Sequence, residues 1–89
     1  MIEKIIKIKD EIGFHARTSS LFAKQASAFQ SEIFIEFNDK KGNGKSTLSL
    51  MTLGVKSQDV IKICANGTDE IKALKTLEEL IKNNFTTNY

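Results

Sequence analysis

Residues 16–37 read ARTSSLFAKQASAFQSEIFIEF, and the spacing of apolar side chains changes partway along. In the first part Phe22, Ala26 and Phe29 recur at helical spacing, with Lys24 and Gln25 off that face. That period predicts a helix over residues 16–29, beginning just after His15. In the second part, SEIFIEF, the period falls to two. Ile33, Ile35 and Phe37 share one face, and Glu32, Phe34 and Glu36 the other, as in a strand buried on one side.

The flanking segments extend this pattern. IEKIIKI, residues 2–8, alternates imperfectly and sets Ile2, Ile6 and Ile8 on one strand face. KDEIG, residues 9–13, follows as a polar turn closed by Gly13. DKKGNGKS, residues 39–46, is a turn region with room for a brief strand. Ser46 is placed to cap a short helix over TLSLMTL, and Gly54 to end it in a left-handed conformation. VIKICA, residues 60–65, is strongly β-prone. After an Asn66-Gly67 turn, Thr68 or Asp69 caps a last helix with Ile71, Leu74, Leu77, Leu80 and Ile81 on one face. Asp69 and Glu70 at its start and Lys82 near its end suit the helix dipole. The tail NNFTTNY, residues 83–89, is expected to fray.

The order is therefore β-α-β-(β)-α-β-α, with strands antiparallel at least in part. Helices on one face of such a sheet make a two-layer α+β sandwich. With 89 residues and no linker or repeat, residues 1–89 form one domain.

Composition narrows the function classes. The formal charge is +2, from 13 basic and 11 acidic side chains, too mild to argue for nucleic acid. No apolar run approaches a membrane span, and the N-terminus lacks the apolar stretch of a signal peptide. The single cysteine, Cys64, excludes an internal disulfide and reads as a buried small hydrophobe. No His or Cys cluster has metal-ligand spacing. These features fit a reduced, cytoplasmic compartment.

Two motifs compete for attention. GNGKST, residues 42–47, resembles the end of a phosphate-binding loop, but the glycine that should open that motif falls on Asp39. Gly42 and Gly44 are better read as turn residues. The second motif, GFHARTSS over residues 13–20, holds the only histidine. A lone histidine is most simply a surface residue. Here, however, it lies where a helix begins, and a helix N-terminus offers unpaired N–H groups to an anion. Arg17 in the first turn opposes the helix dipole, so it calls for another role, which gripping a phosphate would supply. Thr18, Ser19 and Ser20 suggest an open, polar surround. The set suits a phosphoryl group carried on His15.

At this point the chain resembles the HPr family, the histidine-containing phosphocarriers of the bacterial phosphoenolpyruvate-dependent sugar phosphotransferase system. The resemblance rests on Gly13-Phe14-His15-Ala16-Arg17; on Lys45-Ser46 with Leu48, Met51 and Leu53-Gly54-Val55; and on Ala65-Asn66-Gly67-Thr68-Asp69-Glu70. The three stretches fall in register over nearly the whole chain. The resemblance implies an open-faced sandwich of four antiparallel strands with three helices on one face. It implies that His15 takes a phosphoryl group on Nδ1 from phosphorylated enzyme I and passes it to the IIA component of a sugar permease, with Arg17 stabilising the phosphate. It implies a carrier rather than an enzyme, with no cofactor or metal. Ser46 corresponds to a serine that a dedicated kinase/phosphorylase marks in many relatives. Leu48 and Met51 would be apolar docking residues, rimmed by Arg17, Lys24 and Lys45. Apart from the resemblance, no exposed heptad or large apolar face is left unassigned, so a monomer is expected, and charge and hydropathy argue against a nucleic-acid or membrane partner. Some regulatory relatives have lost the histidine, and this chain keeps it. It departs from the family in two places. Thr18 replaces the usual proline after His-Ala-Arg, and Thr47 replaces a commonly apolar residue.

Readings from other classes also deserve mention. A nucleic-acid-binding or ligand-sensing domain of ferredoxin-like topology shares much of the element order, but the RNA-recognition consensus is absent. A small enzyme would need an orienting acid or a carboxylate pair beside the one histidine.

Overall fold

The computed structural model describes residues 1–9 and 13–85. Four strands, β1 (Ile2–Lys7), β2 (Glu32–Phe37), β3 (Lys40–Asn43) and β4 (Val60–Asn66), alternate with three helices, α1 (Ala16–Ala26), α2 (Thr47–Thr52) and α3 (Glu70–Lys82). The sheet order is β1-β4-β2-β3, and every pairing is antiparallel. This is the open-faced α+β sandwich that the resemblance implied. The polar turn over residues 9–13 lies partly outside the described residues.

Alternation along the strands decides which face is covered. Ile6, Ile33, Ile35, Ile61, Ile63 and Ala65 point to the helix side and join Phe22, Ala26, Leu50, Leu77 and Ile81 in one core. The brief strand after β2 returns through a two-residue hairpin. Asn38 and Asp39 both have positive φ, 49° and 63°, between the paired Phe37 and Lys40. Asn and Asp tolerate the left-handed conformation that such a turn demands of both central residues.

Four expectations need correction. First, α1 ends at Ala26, before Phe29. The Ser27 hydroxyl donates to Ala23 O at 2.7 Å, a local bond that competes with the helix. Phe29 still packs against the core from outside the helix.

Second, Ile71 is 73% exposed and does not belong to the buried stripe of α3. Ala73 joins Leu74, Leu77, Leu80 and Ile81 in that stripe. Ile71 lies roughly a third of a turn from the centre of that stripe.

Third, Asp69 stands at the N-cap of α3 without a side-chain capping bond. Its carboxylate instead accepts the N–H groups of Gln30 (2.9 Å) and Ser31 (3.0 Å) and the hydroxyl of Ser31. It thereby clamps the α1–β2 connection to the start of α3. The Ser31 hydroxyl, and then the Gln30 amide, hold the Asp69 carboxyl below its ordinary value of 3.8. A depressed folded-state pKa stabilises the fold above the unfolded pKa, and that stabilisation is lost as pH falls through the folded one. The stability advantage of the native protein over Asp69→Asn is therefore expected to hold from neutral pH to about pH 5 and then to shrink as urea unfolding is repeated down to about pH 3. A gap that stays constant over that range would remove the carboxylate from the clamp.

Fourth, the start of the tail is core. Phe85 is 1% exposed, its N–H donates to Leu80 O at 2.8 Å, and Asn84 and Phe85 turn the chain with φ of 53° and 60°. Residues 86–89 lie outside the described residues.

Candidate functional site

The site begins with a glycine that only a glycine can replace. Gly13 has φ +77°, and a Cβ there would lie 2.5 Å from Val55 O and 2.6 Å from Lys56 Cα. This close approach seats the chain against the segment that follows α2, and Phe14 N–H donates to Val55 O at 3.1 Å. The Phe14 ring then turns into the core, edge-on to Phe22 at 5.6 Å and to Phe85 at 5.8 Å. With Phe14 anchored inward, extended backbone at His15 (φ −120°, ψ −169°) presents the next side chain at the head of α1. Left-handed backbone at a non-glycine residue costs on the order of 1–3 kcal/mol, before any cost of parting the two backbones. Gly13→Ala is expected to lose at least that much in urea unfolding. A near-native midpoint would show that the close approach is dispensable.

His15 is the N-cap of α1, and its Nδ1 accepts the N–H of Arg17 at 3.3 Å. An accepting nitrogen carries a lone pair, so this bond assigns the ring proton to Nε2. Nε2 is enclosed and has no hydrogen-bond partner among the described residues. The ring thus aims its lone pair at the open end of the helix. The first turn of α1 holds no acidic residue, and the exposed Arg17 forms no salt bridge among the described residues. The end of the helix is a locally cationic place with free capacity for an anion.

The surround is less open than the sequence suggested. Thr18 and Ser19 are fully buried, and only Ser20 is exposed. Helix geometry turns positions 18 and 19 inward with Phe22 and Ala23, whatever their polarity. The Thr18 hydroxyl accepts His15 N–H at 3.0 Å and donates to Gly13 O at 2.7 Å. This link between Thr18 and the histidine escaped the sequence reading. A hydroxyl residue at the third helical position was the available signal, since capping boxes use that position.

The remaining candidates lie on and around α2. Ser46 is its N-cap, half-buried, accepting Ser49 N–H at 3.2 Å. Leu48 and Met51 are 71% and 40% exposed, while Leu50 and Leu53 on the opposite side enter the core. Thr47 is half-buried. Lys24 is exposed in the last turn of α1, whereas the Lys45 ammonium donates to Phe29 O at 2.7 Å and is tied down. The phosphate-loop reading of residues 42–47 meets amides already engaged at positions 43 to 46, with Asn43 N–H donating to Ser49 Oγ at 2.8 Å. Gly44 N–H donates to Ile33 O, Lys45 N–H to Asn43 Oδ1 and Ser46 N–H to Asn43 O. Cys64 is buried as expected, but on the helix-free side of the sheet. Its thiol faces Glu36 at 3.4 Å and Glu3 at 3.8 Å. Burial, then the Glu36 carboxylate, raise its pKa to about 11, so it stays a protonated thiol and a poor nucleophile.

No helix among the described residues is long and apolar enough to cross a membrane. Residues 2–83 match the family described as "PTS HPr component phosphorylation site". The chain is 39% identical to the "Phosphocarrier protein HPr" of Neisseria meningitidis over 96% of each protein. It is 40% identical to the "HPr-like protein Crh" of Halalkalibacterium halodurans, over 92% of this chain and 98% of that one. Among solved structures it superimposes on HPr from Thermoanaerobacter tengcongensis with a TM-score of 0.94 and 43% identity, covering both chains completely.

Proposed function

The chain belongs to the PTS HPr family of phosphocarriers, and from that premise we propose that His15 accepts a phosphoryl group from phosphorylated enzyme I and hands it to the IIA component of a sugar permease. The observation that carries this reading is the Nδ1 lone pair held against Arg17 N–H at 3.3 Å, with Nε2 enclosed. Nδ1 attacks phosphorus in line as the bond to the donor breaks, and the proton on Nε2 stays where it is. The phosphoryl group takes the place of the Arg17 amide as the partner of Nδ1. The hydrogen bond lost is long and neutral, contributing about 1 kcal/mol or less. The released amide, and the Arg17 guanidinium beside it, then serve the phosphoryl oxygens. Phosphoryl transfer asks a protein for positioning and charge stabilisation above all, and these groups supply both. Return to the acceptor is the same step reversed, so the chain needs no turnover chemistry of its own and no cofactor or metal.

Leu48 and Met51 are the apolar contacts offered to these partners, with Lys24 and Arg17 as cationic flanks. A flexible methionine suits one surface that must fit several proteins. Lys45 contributes to the cationic rim only by giving up its bond to Phe29 O. Ser46 is the regulatory position, as the target of a dedicated kinase/phosphorylase. A phosphate there adds about two negative charges beside Leu48 and Met51. It suits the helix start locally and repels an acidic partner surface.

Purified enzyme I with phosphoenolpyruvate is expected to raise the intact mass of the chain by one phosphoryl group. That group should be lost on brief acid treatment and stable in alkali. A chain that stays unlabelled beside a labelled control carrier, with enzyme I from the same organism, would overturn the proposal.

A further inference from the structure

We infer that Thr18 is a positioning residue for phosphoryl acceptance, a role that rests on the function proposed for His15. Its hydroxyl has one proton and two lone pairs. The proton goes to Gly13 O at 2.7 Å, and a lone pair receives His15 N–H at 3.0 Å. The side chain is fully buried, so no water stands in for either partner. One hydroxyl thus closes a loop over residues 13–15, where the backbone passes from a left-handed glycine to an extended histidine.

This geometry determines where the imidazole sits. His15 N–H is held from one side by Thr18, and its Nδ1 meets Arg17 N–H from the other. The two bonds fix the backbone and the ring of the same residue against the first helical turn. Removing the hydroxyl leaves His15 N–H and Gly13 O without that partner, and the strand of chain between them is free to rotate. The ring would then lose its fixed direction toward the amides of the turn. The proline usual at this place in the family offers a fixed φ but no hydroxyl. This chain therefore reaches the same preorganisation through a hydrogen bond, which a hydroxyl-preserving substitution should keep.

The experiment compares Thr18→Val with Thr18→Ser. Phosphoryl uptake from phosphorylated enzyme I is measured for its kcat and KM, and the His15 ring by nitrogen-15 NMR in the same samples. Thr18→Val is expected to lower kcat on the order of tenfold to a hundredfold, because small misplacements of a reacting group have effects of that size. KM should hardly change, since Thr18 is buried away from any partner. The ring resonances should move toward the mixed tautomers of a free imidazole. Thr18→Ser should restore kcat and ring resonances together. Native kcat and ring resonances in Thr18→Val overturn the inference, as does a folded Thr18→Ser that behaves like Thr18→Val. If the native chain takes up no phosphoryl group, the function proposed for His15 is what fails. The ring spectra of the two variants then decide the positioning role alone. If Thr18→Val does not fold, Thr18→Ala against Thr18→Ser provides the same contrast with a smaller side chain.

Discussion

His15→Ala is expected to take up no phosphoryl group from phosphorylated enzyme I, while unfolding within about 1 kcal/mol of the native protein. The two halves of this prediction have separate grounds. His15 is the only histidine in the chain, so no second imidazole can carry an acid-labile phosphate. The other soft nucleophile, Cys64, is a buried thiol whose pKa is raised to about 11, on the helix-free side of the sheet. Stability should hardly change because the side chain contributes one long hydrogen bond, at 3.3 Å, and such neutral bonds contribute about 1 kcal/mol. The measurement is intact mass after incubation with phosphoenolpyruvate and enzyme I, beside a urea melt of the same preparation. Phosphate retained by a folded His15→Ala protein would move the acceptor to another residue. Arg17→Ala should still be labelled, but slowly, since it removes the guanidinium and leaves the amide that faces Nδ1. A full loss there would make the guanidinium, rather than the helix end, the main stabiliser of the transferring group.

How much of this was legible beforehand depends on the range of the interaction. Strand alternation and helical period are local, and they located β1, β2, β4 and all three helices to within a few residues; β3, rich in lysine and glycine, shows no alternation and read only as a turn region with room for a brief strand. The caps at His15 and Ser46 and the left-handed Gly54 are also local, and each stands where spacing put it. The order of strands in the sheet is a long-range property that no local pattern carries, and it came only with the structure. The errors have the same origin. Ile71 was assigned to a stripe whose edge is set by tertiary packing, which buries Ala73 and leaves Ile71 73% exposed. Asp69 was read as a cap because caps are local, whereas its carboxylate serves Gln30 and Ser31, 39 and 38 residues away. Ser19 was read as exposed from its chemistry, although its register on α1 buries it. At the site, the histidine and the arginine were visible as a pattern. The Thr18 hydroxyl was visible only as a departure from one, since its partners are defined by the turn at Gly13.

Phe85→Ala is expected to destabilise the fold by about 3–5 kcal/mol, the usual cost of deleting a buried aromatic side chain. For a domain of this length each kcal/mol shifts the melting temperature by about 4–8 °C, so a fall of at least about 12 °C should follow. Sequence position argues against so large an effect, because Phe85 lies four residues before Tyr89, in a stretch that reads as polar. Burial overrides position. The ring is 1% exposed, and the backbone bond from its N–H to Leu80 O folds the end of α3 back so that it can be. Its neighbour across the core is Phe14, 5.8 Å away edge-on, the residue that anchors the histidine loop inward. The loss should therefore reach the site as well as the melting curve. At a temperature where the variant is still folded, phosphoryl uptake should slow, because Phe14 keeps only Phe22 as an aromatic partner. Phe85→Leu refills much of the volume and should recover most of both. A melt within about 1 kcal/mol of native for Phe85→Ala would refute the core assignment. A full loss of stability with unchanged uptake would confine the effect to the core and free the histidine loop from it. The aromatic at the end of α3 thus has a testable part in holding, from behind, the turn that presents His15.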